Sequence, residues 1–275
     1  MKEANFIYTP SSSIRLRVNV HIQRGNVEAT FRIIPSEIKS IRELMLPPIL
    51  EDIARYNKGI VLIGGVTGSG KTTTLSAMVD QINKEREAVI ITLESPIEYV
   101  HQNIKSIVKQ REIGRDTLSY SEAAKNALRQ DPDVIVIGEM LDDETVNVAL
   151  SAAETGHLVL SSIHAPDTIQ VIERILSLYP ADMQKYILTR LAYAVKAIIV
   201  QQLIPRRDKE GLVPAVEVCI VNTAVRRAIK DGDWNNLSTI IQTSSSLGMQ
   251  NMQKSISELY NRGLIDVEYV KDYMP

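Results

Sequence analysis

The residues Gly65-Val66-Thr67-Gly68-Ser69-Gly70-Lys71-Thr72 fit the pattern G-x-x-x-x-G-K-[S/T]. An apolar run that reads as a strand, Ile60–Gly64, precedes them, and a helix-forming run, Thr72–Asn83, follows. Glycines at these spacings let the backbone curl so that its N–H groups face phosphate oxygens. The helix that begins near Lys71 adds partial positive charge at the same point. Lys71 is expected to reach the β- and γ-phosphates, and Thr72 to ligate Mg2+ through its hydroxyl, with Thr73 beside it. The expected ligands are therefore ATP and Mg2+.

Hydrolysis needs a group that activates water. Val134-Ile135-Val136-Ile137-Gly138-Glu139 is an apolar strand running into a carboxylate. Such a carboxylate stands at the carboxyl edge of the sheet, where ligands bind in open α/β folds. Glu139 is the expected water-orienting group, whereas Asp133 stands at the other end of that strand. Glu94 follows the strand Ile90–Leu93 and should share the same edge, where it can help hold Mg2+ through water. Glu98 is divided between that role and a solvated loop. His157 and His164 flank the strand Leu158–Ser162, seven residues apart, so they are not expected to share a metal ion. His164, at the carboxyl end, is placed to sense the γ-phosphate or the state of a neighbouring subunit. Arg17 and Arg32 fall on two paired strands. By themselves they are polar faces of a hairpin, but a motor that fires only when assembled needs an arginine from outside the phosphate-binding domain.

The elements that must position these groups begin with a hairpin over 14–34. Ile14–Ile22 and Val27–Ile33 alternate apolar and polar residues around the turn Arg24-Gly25-Asn26. An isolated hairpin is marginal, so this one must pack on something. Pro35 and Ser36 open a polar linker to about Glu43. A short helix, Ile49–Tyr56, follows the prolines 47 and 48. From Gly59 strands alternate with helices. Further strands are expected over Ala88–Leu93, Ala197–Leu203 and Val213–Ile220. Helices are expected over Ser121–Arg129, Asp143–Glu154, Thr168–Ser177 and Ala181–Val195. This is the pattern of a mostly parallel sheet covered on both faces. Beyond Val221 the chain reads as helical: Ala224–Lys230, Asn235–Thr243, Met249–Arg262 and Val267–Asp272.

The 275 residues suffice for one large α/β domain with a small appendage. No stretch of 18 apolar residues suggests a membrane span, and Met1–Pro10 lacks the charged and apolar regions of a signal peptide. One cysteine, Cys219, excludes an internal disulfide or a cysteine zinc cluster, and it reads as a small buried hydrophobe. With 31 Lys and Arg against 33 Asp and Glu, the net charge of -2 argues against a broad nucleic-acid surface. These features together lead to a cytoplasmic expectation.

Six segments resemble the PilT family, the retraction ATPases of type IV pili, within the wider secretion-ATPase superfamily. Gly65–Thr74 resembles its Walker A, Ile91–His101 its acidic box, Asp131–Met140 its Walker B and Thr155–His164 its histidine box. Ala224–Leu237 resembles the carboxyl-terminal segment of retraction-type members, and Gln242–Gln250 the loop after it. The resemblance implies a RecA-like P-loop core with a partial β-rich, PAS-like amino-terminal domain and a helical carboxyl-terminal segment. The implied divisions are 1–35, a linker over 36–46, the core over 47–222 and the helical segment over 223–275. It also implies a homohexamer, ATP held between two domains, and work beside the inner-membrane platform of the pilus at the cytoplasmic face of the inner membrane. Glu139 then becomes the catalytic glutamate, Glu94 the acidic-box carboxylate, His157 and His164 the histidine-box pair, and Arg17 and Arg32 the inter-subunit arginines. Three departures stand out. The amino-terminal domain is expected to be short, Ser95 stands where the family has Asp, and Leu141 stands where it often has Arg. A related secretion or pilus-assembly ATPase, a nucleic-acid motor and a weakly hydrolysing regulator stay as alternatives.

Overall fold

The computed structural model describes residues 3–11, 14–34 and 37–271. The first sheet holds β1 (Glu3–Ser11), β2 (Ile14–Gln23) and β3 (Asn26–Ile34), antiparallel in that order. The expected hairpin is β2–β3, but it is not a hairpin alone, because β1 adds a strand along the other edge of β2. Arg17 faces Arg32 across the β2–β3 pair, with Ile7 on its other side. Strand alternation puts Arg15, Arg17 and Arg32 on one face and Leu16, Val18 and Phe31 on the other.

Pro35 and Ser36, where the linker was expected to open, lie outside the described residues. The part up to Glu43 is not simply polar. Ile41 is 1% exposed and packs with Leu46, Leu50 and Ile53 against the large sheet. Helix α1 (Ile49–Ala54) follows the two prolines.

The second sheet contains β4 (Gly59–Gly64), β5 (Val89–Glu94), β6 (Ile107–Glu112), β7 (Val134–Ile137), β8 (Leu158–Ile163), β9 (Val195–Pro205) and β10 (Leu212–Ile220). Its order is β10-β9-β4-β8-β7-β5-β6, and every pairing is parallel except β9 with β10. This is the expected α/β fold. Successive residues of β4 bury on opposite faces: Ile60 and Leu62 join one core, Val61 and Ile63 the other. That two-sided burial is why the central strands are uninterrupted apolar runs.

One face carries α1 and α2 (Lys71–Glu85). The other carries α3 (Tyr120–Ala127), α4 (Asp143–Glu154), α5 (Thr168–Leu176) and α6 (Ala181–Ala194), together with α7 (Thr223–Asp231) and α8 (Trp234–Thr243). Cys219 is fully buried there, as expected. A small third core joins β9 and β10 to α9 (Met252–Asn261) and α10 (Glu268–Lys271). Helix α9 begins later than expected, because Gln250 is held as extended chain against Val218. Asp272, expected in the last helix, lies outside the described residues. Among the described residues no helix is long and apolar enough to cross a membrane.

Candidate phosphate-binding and catalytic site

The parallel strands bring their carboxyl ends to one edge, and a cleft of about 470 Å3 opens there. Its floor is the loop between β4 and α2. Gly65 has φ +149, and a Cβ there would fall 2.3 Å from the Ser69 hydroxyl and 2.5 Å from the Gln201 carbonyl, so only glycine fits. Gln201, buried in β9, holds this loop in shape. Its side-chain N–H donates to the Ser69 carbonyl at 2.5 Å, and its oxygen accepts from the Thr74 hydroxyl at 2.8 Å.

Lys71 opens α2 and is 8% exposed. Its ammonium donates to the carbonyls of Gly65 (2.8 Å) and Val66 (3.0 Å), and it lies 3.3 Å from His164 Nδ1. Burial pushes its pKa down, and the nearby Glu139 charge opposes that shift. The Glu139 carboxylate lies 3.0 Å from His164 Nε2. Lys71, His164 and Glu139 thus form one chain of contacts across the cleft. His164 stands after β8, as expected for a group at that edge.

Glu94 ends β5 beneath the cleft. One oxygen accepts from the Thr92 hydroxyl at 2.6 Å and from Gln110 at 2.9 Å. Burial raises its pKa, partly offset by these two donors. The folded value lies above the unfolded one, so the folded chain holds this proton more tightly. The stability this lends is complete below the ordinary carboxylate range and is lost as pH rises through the folded value. Glu94→Gln, which keeps an oxygen for both donors, is therefore expected to raise the urea midpoint at pH 7.5. The gain should shrink towards pH 4, and a midpoint lower than the parent's at pH 7.5 contradicts this account.

The roof comes from the small sheet. Arg17 and Arg32 both line the cleft. Arg17 pairs with Glu98 at 3.2 Å, which places Glu98 in the cleft as well. Arg15 donates to the carbonyls of Glu98 (2.5 Å) and Ile97 (3.0 Å), so it pins the small sheet to the loop after β5.

His157 is not brought to this place. It precedes β8, at the opposite edge of the sheet, where its Nδ1 lies 2.9 Å from the Ala152 carbonyl and 3.1 Å from the Thr155 hydroxyl. Its surroundings are those of a ring that closes the end of α4, so within this chain it has no route to the cleft. The reason is strand geometry: six strand residues at about 3.3 Å each separate the two histidines by roughly 20 Å.

Several cleft residues carry no motif. Gln201 had a signal, as a polar side chain inside an apolar strand run must find partners. Tyr120 had none in sequence alone, and His101 closed the acidic-box segment Ile91–His101 without a role of its own. His101 lines the cleft with its pKa driven down to about 4 by burial, and its Nδ1 is buried without a hydrogen bond.

The profile of the family described as "Type II/IV secretion system protein" matches residues 47–228. A twitching motility protein of Neisseria gonorrhoeae is 41% identical over 97% of this chain and 71% of its own length. A type IV pilus retraction ATPase, PilT, of Pseudomonas aeruginosa is 39% identical over 98% of this chain and 78% of its own. The crystal structure of a pilus retraction motor, PilT, with bound ADP superposes with a TM-score of 0.91 at 40% identity. That superposition covers 100% of this chain and 78% of the other.

Proposed function

Because the chain belongs to the type II/IV secretion system protein family, in its PilT-like group, we propose that it is an ATP-hydrolysing subunit of a homohexameric motor that retracts type IV pili. The observation that carries this reading is the convergence in one cleft of the Lys71–His164–Glu139 chain, Glu94 and the two arginines of the small sheet.

In this mechanism the phosphates of ATP lie over residues 65–73. Lys71 exchanges its carbonyl partners for the β- and γ-phosphates, a charge-for-charge contact that repays its burial. Glu139 takes a proton from the water that attacks the γ-phosphate in line, and His164 fixes the carboxylate's orientation. Arg17 and Arg32 offset the charge that develops on the transferring group. Arg17 must leave Glu98 to do so, which makes the seating of the small sheet part of the catalytic step.

The donor set fits Mg2+ arriving with nucleotide. Among the described residues no group of three or more His, Cys, Asp or Glu could cage an ion. The Thr72 hydroxyl and the Glu94 carboxylate are hard oxygen donors on one cleft, and Mg2+ keeps water and phosphate oxygens for the rest. The ion supplies neutralisation of phosphate charge.

The working divisions are 1–35, 36–46, 47–222 and 223–275. The last passes movement to the pilus platform at the cytoplasmic face of the inner membrane, a peripheral association without insertion. Nucleic acid has no part in it.

Steady-state ATPase measured against protein concentration, with light scattering alongside, tests the reading. Turnover that rises as hexamers form is expected. Turnover per chain that is independent of concentration, at monomer mass, overturns the ring motor. Restoration of twitching in a retraction-defective strain separates pilus retraction from secretion.

A further inference from the structure

Tyr120 is the first residue of α3, and Ser119 caps that helix by accepting from the Glu122 N–H at 3.2 Å. The cap fixes where the ring starts, and the ring packs against the core beneath β5 and β7. Its hydroxyl comes out in the cleft, between the two carboxylate stations. A Cβ built on Gly138 would lie 3.0 Å from the Tyr120 oxygen, 3.0 Å from the Leu93 carbonyl and 3.5 Å from the Glu94 Cα. The hydroxyl therefore stands beside Gly138, the residue preceding Glu139, and Tyr120 lines the same cleft as Glu94 and Glu139. Among the described residues this hydroxyl makes no hydrogen bond, although the other polar groups around it are paired: Glu139 with His164, Glu94 with Thr92 and Gln110.

We propose that the Tyr120 hydroxyl is a further catalytic group, whose oxygen accepts a hydrogen bond from the second hydrogen of the attacking water and holds that water against Glu139. This rests on the ATPase reading above. Burial, then the charges of Glu139 and Glu94, push the phenol's pKa up, so it stays an O–H at neutral pH and serves as a neutral partner. The balance of the step is unchanged by it. The water's proton goes to Glu139, its oxygen bonds to the γ-phosphorus, and the bond from that phosphorus to the bridging oxygen breaks with the electron pair leaving on ADP. Tyr120 transfers no proton. It removes orientations in which the water's lone pair faces away from phosphorus.

Tyr120→Phe in the full chain is the test, since it keeps the ring and removes only the oxygen. Its kcat is expected to fall by about tenfold to a hundredfold, as for loss of one placed hydrogen-bonding group in a catalytic site. ADP affinity, read with a fluorescent ADP, should stay within about twofold, because the contact is made to the reacting water and not to the bound nucleotide. The melting temperature should match the parent's. Equal turnover in parent and variant overturns the proposal alone. An ADP affinity that falls in parallel with turnover assigns Tyr120 to binding and overturns it too. A parent chain that binds ADP without any turnover overturns the ATPase reading, and the proposal with it.

Discussion

Glu139→Gln is expected to lower ATP turnover by about 10^2- to 10^4-fold while ATP stays bound, the range general base catalysis supplies. The amide keeps the size of the side chain, so the cleft keeps its shape. It cannot accept the proton of the attacking water. Nor can it hold His164 as a carboxylate does at 3.0 Å. His164 then faces an amide in place of the carboxylate but keeps its 3.3 Å contact with Lys71, so phosphate binding is expected to survive. Rapid-quench measurement of a single turnover, with retained ATP measured by filtration, checks both halves. Turnover within tenfold of the parent removes Glu139 from the role of base.

Lys71→Ala should have the largest effect on binding. Two charge-assisted phosphate contacts at about 1.5–3 kcal/mol each would be lost, a weakening of about 10^2-fold or more in nucleotide affinity. The loss should come without unfolding. Burial already disfavours the ammonium, and of the two residues whose carbonyls it serves Val66 is exposed. A titration with a fluorescent non-hydrolysable ATP analogue and a melting curve on the same sample test this. An affinity within threefold of the parent, or a collapse of the melting temperature, goes against it.

Much of the fold was legible because the central strands are apolar on both faces and the helices between them carry end signals. The expected helix Asp143–Glu154 matches residue for residue. Asp142 accepts from the Thr145 N–H at its start, and Thr155-Gly156 stops it. Strand β6 was missed because it lies at the sheet edge, where Lys109, Gln110, Arg111 and Glu112 interrupt the apolar pattern that marks its neighbours. Strand β1 was missed because Glu3–Ser11 alternates weakly and includes Pro10.

The site divides the same way. The phosphate loop, Glu139 and Glu94 were legible, since each follows directly from a strand end. His157 was expected before the strand and stands there; its histidine-box role came only from the resemblance, and within this chain it lies away from the cleft. Gln201 and Tyr120 stayed hidden because what matters about them is what they touch from far along the chain: 132 residues separate Gln201 from Ser69.

Gln201 has a mechanical meaning as well. On β10 it lies opposite Val216, whose carbonyl accepts from the Gln250 side chain at 2.7 Å and whose N–H donates to the Ser255 hydroxyl at 2.9 Å. The phosphate loop, two strands and the start of α9 are thereby bolted together like parts of one casting. Through these bonds the loop and the first turn of α9 share one hydrogen-bonded path. The small sheet is seated on this block through its arginines, Arg15 on the carbonyls of Ile97 and Glu98 and Arg17 on the Glu98 carboxylate. The cleft lies where that seated sheet meets the rigid block, so whatever fills it touches both at once.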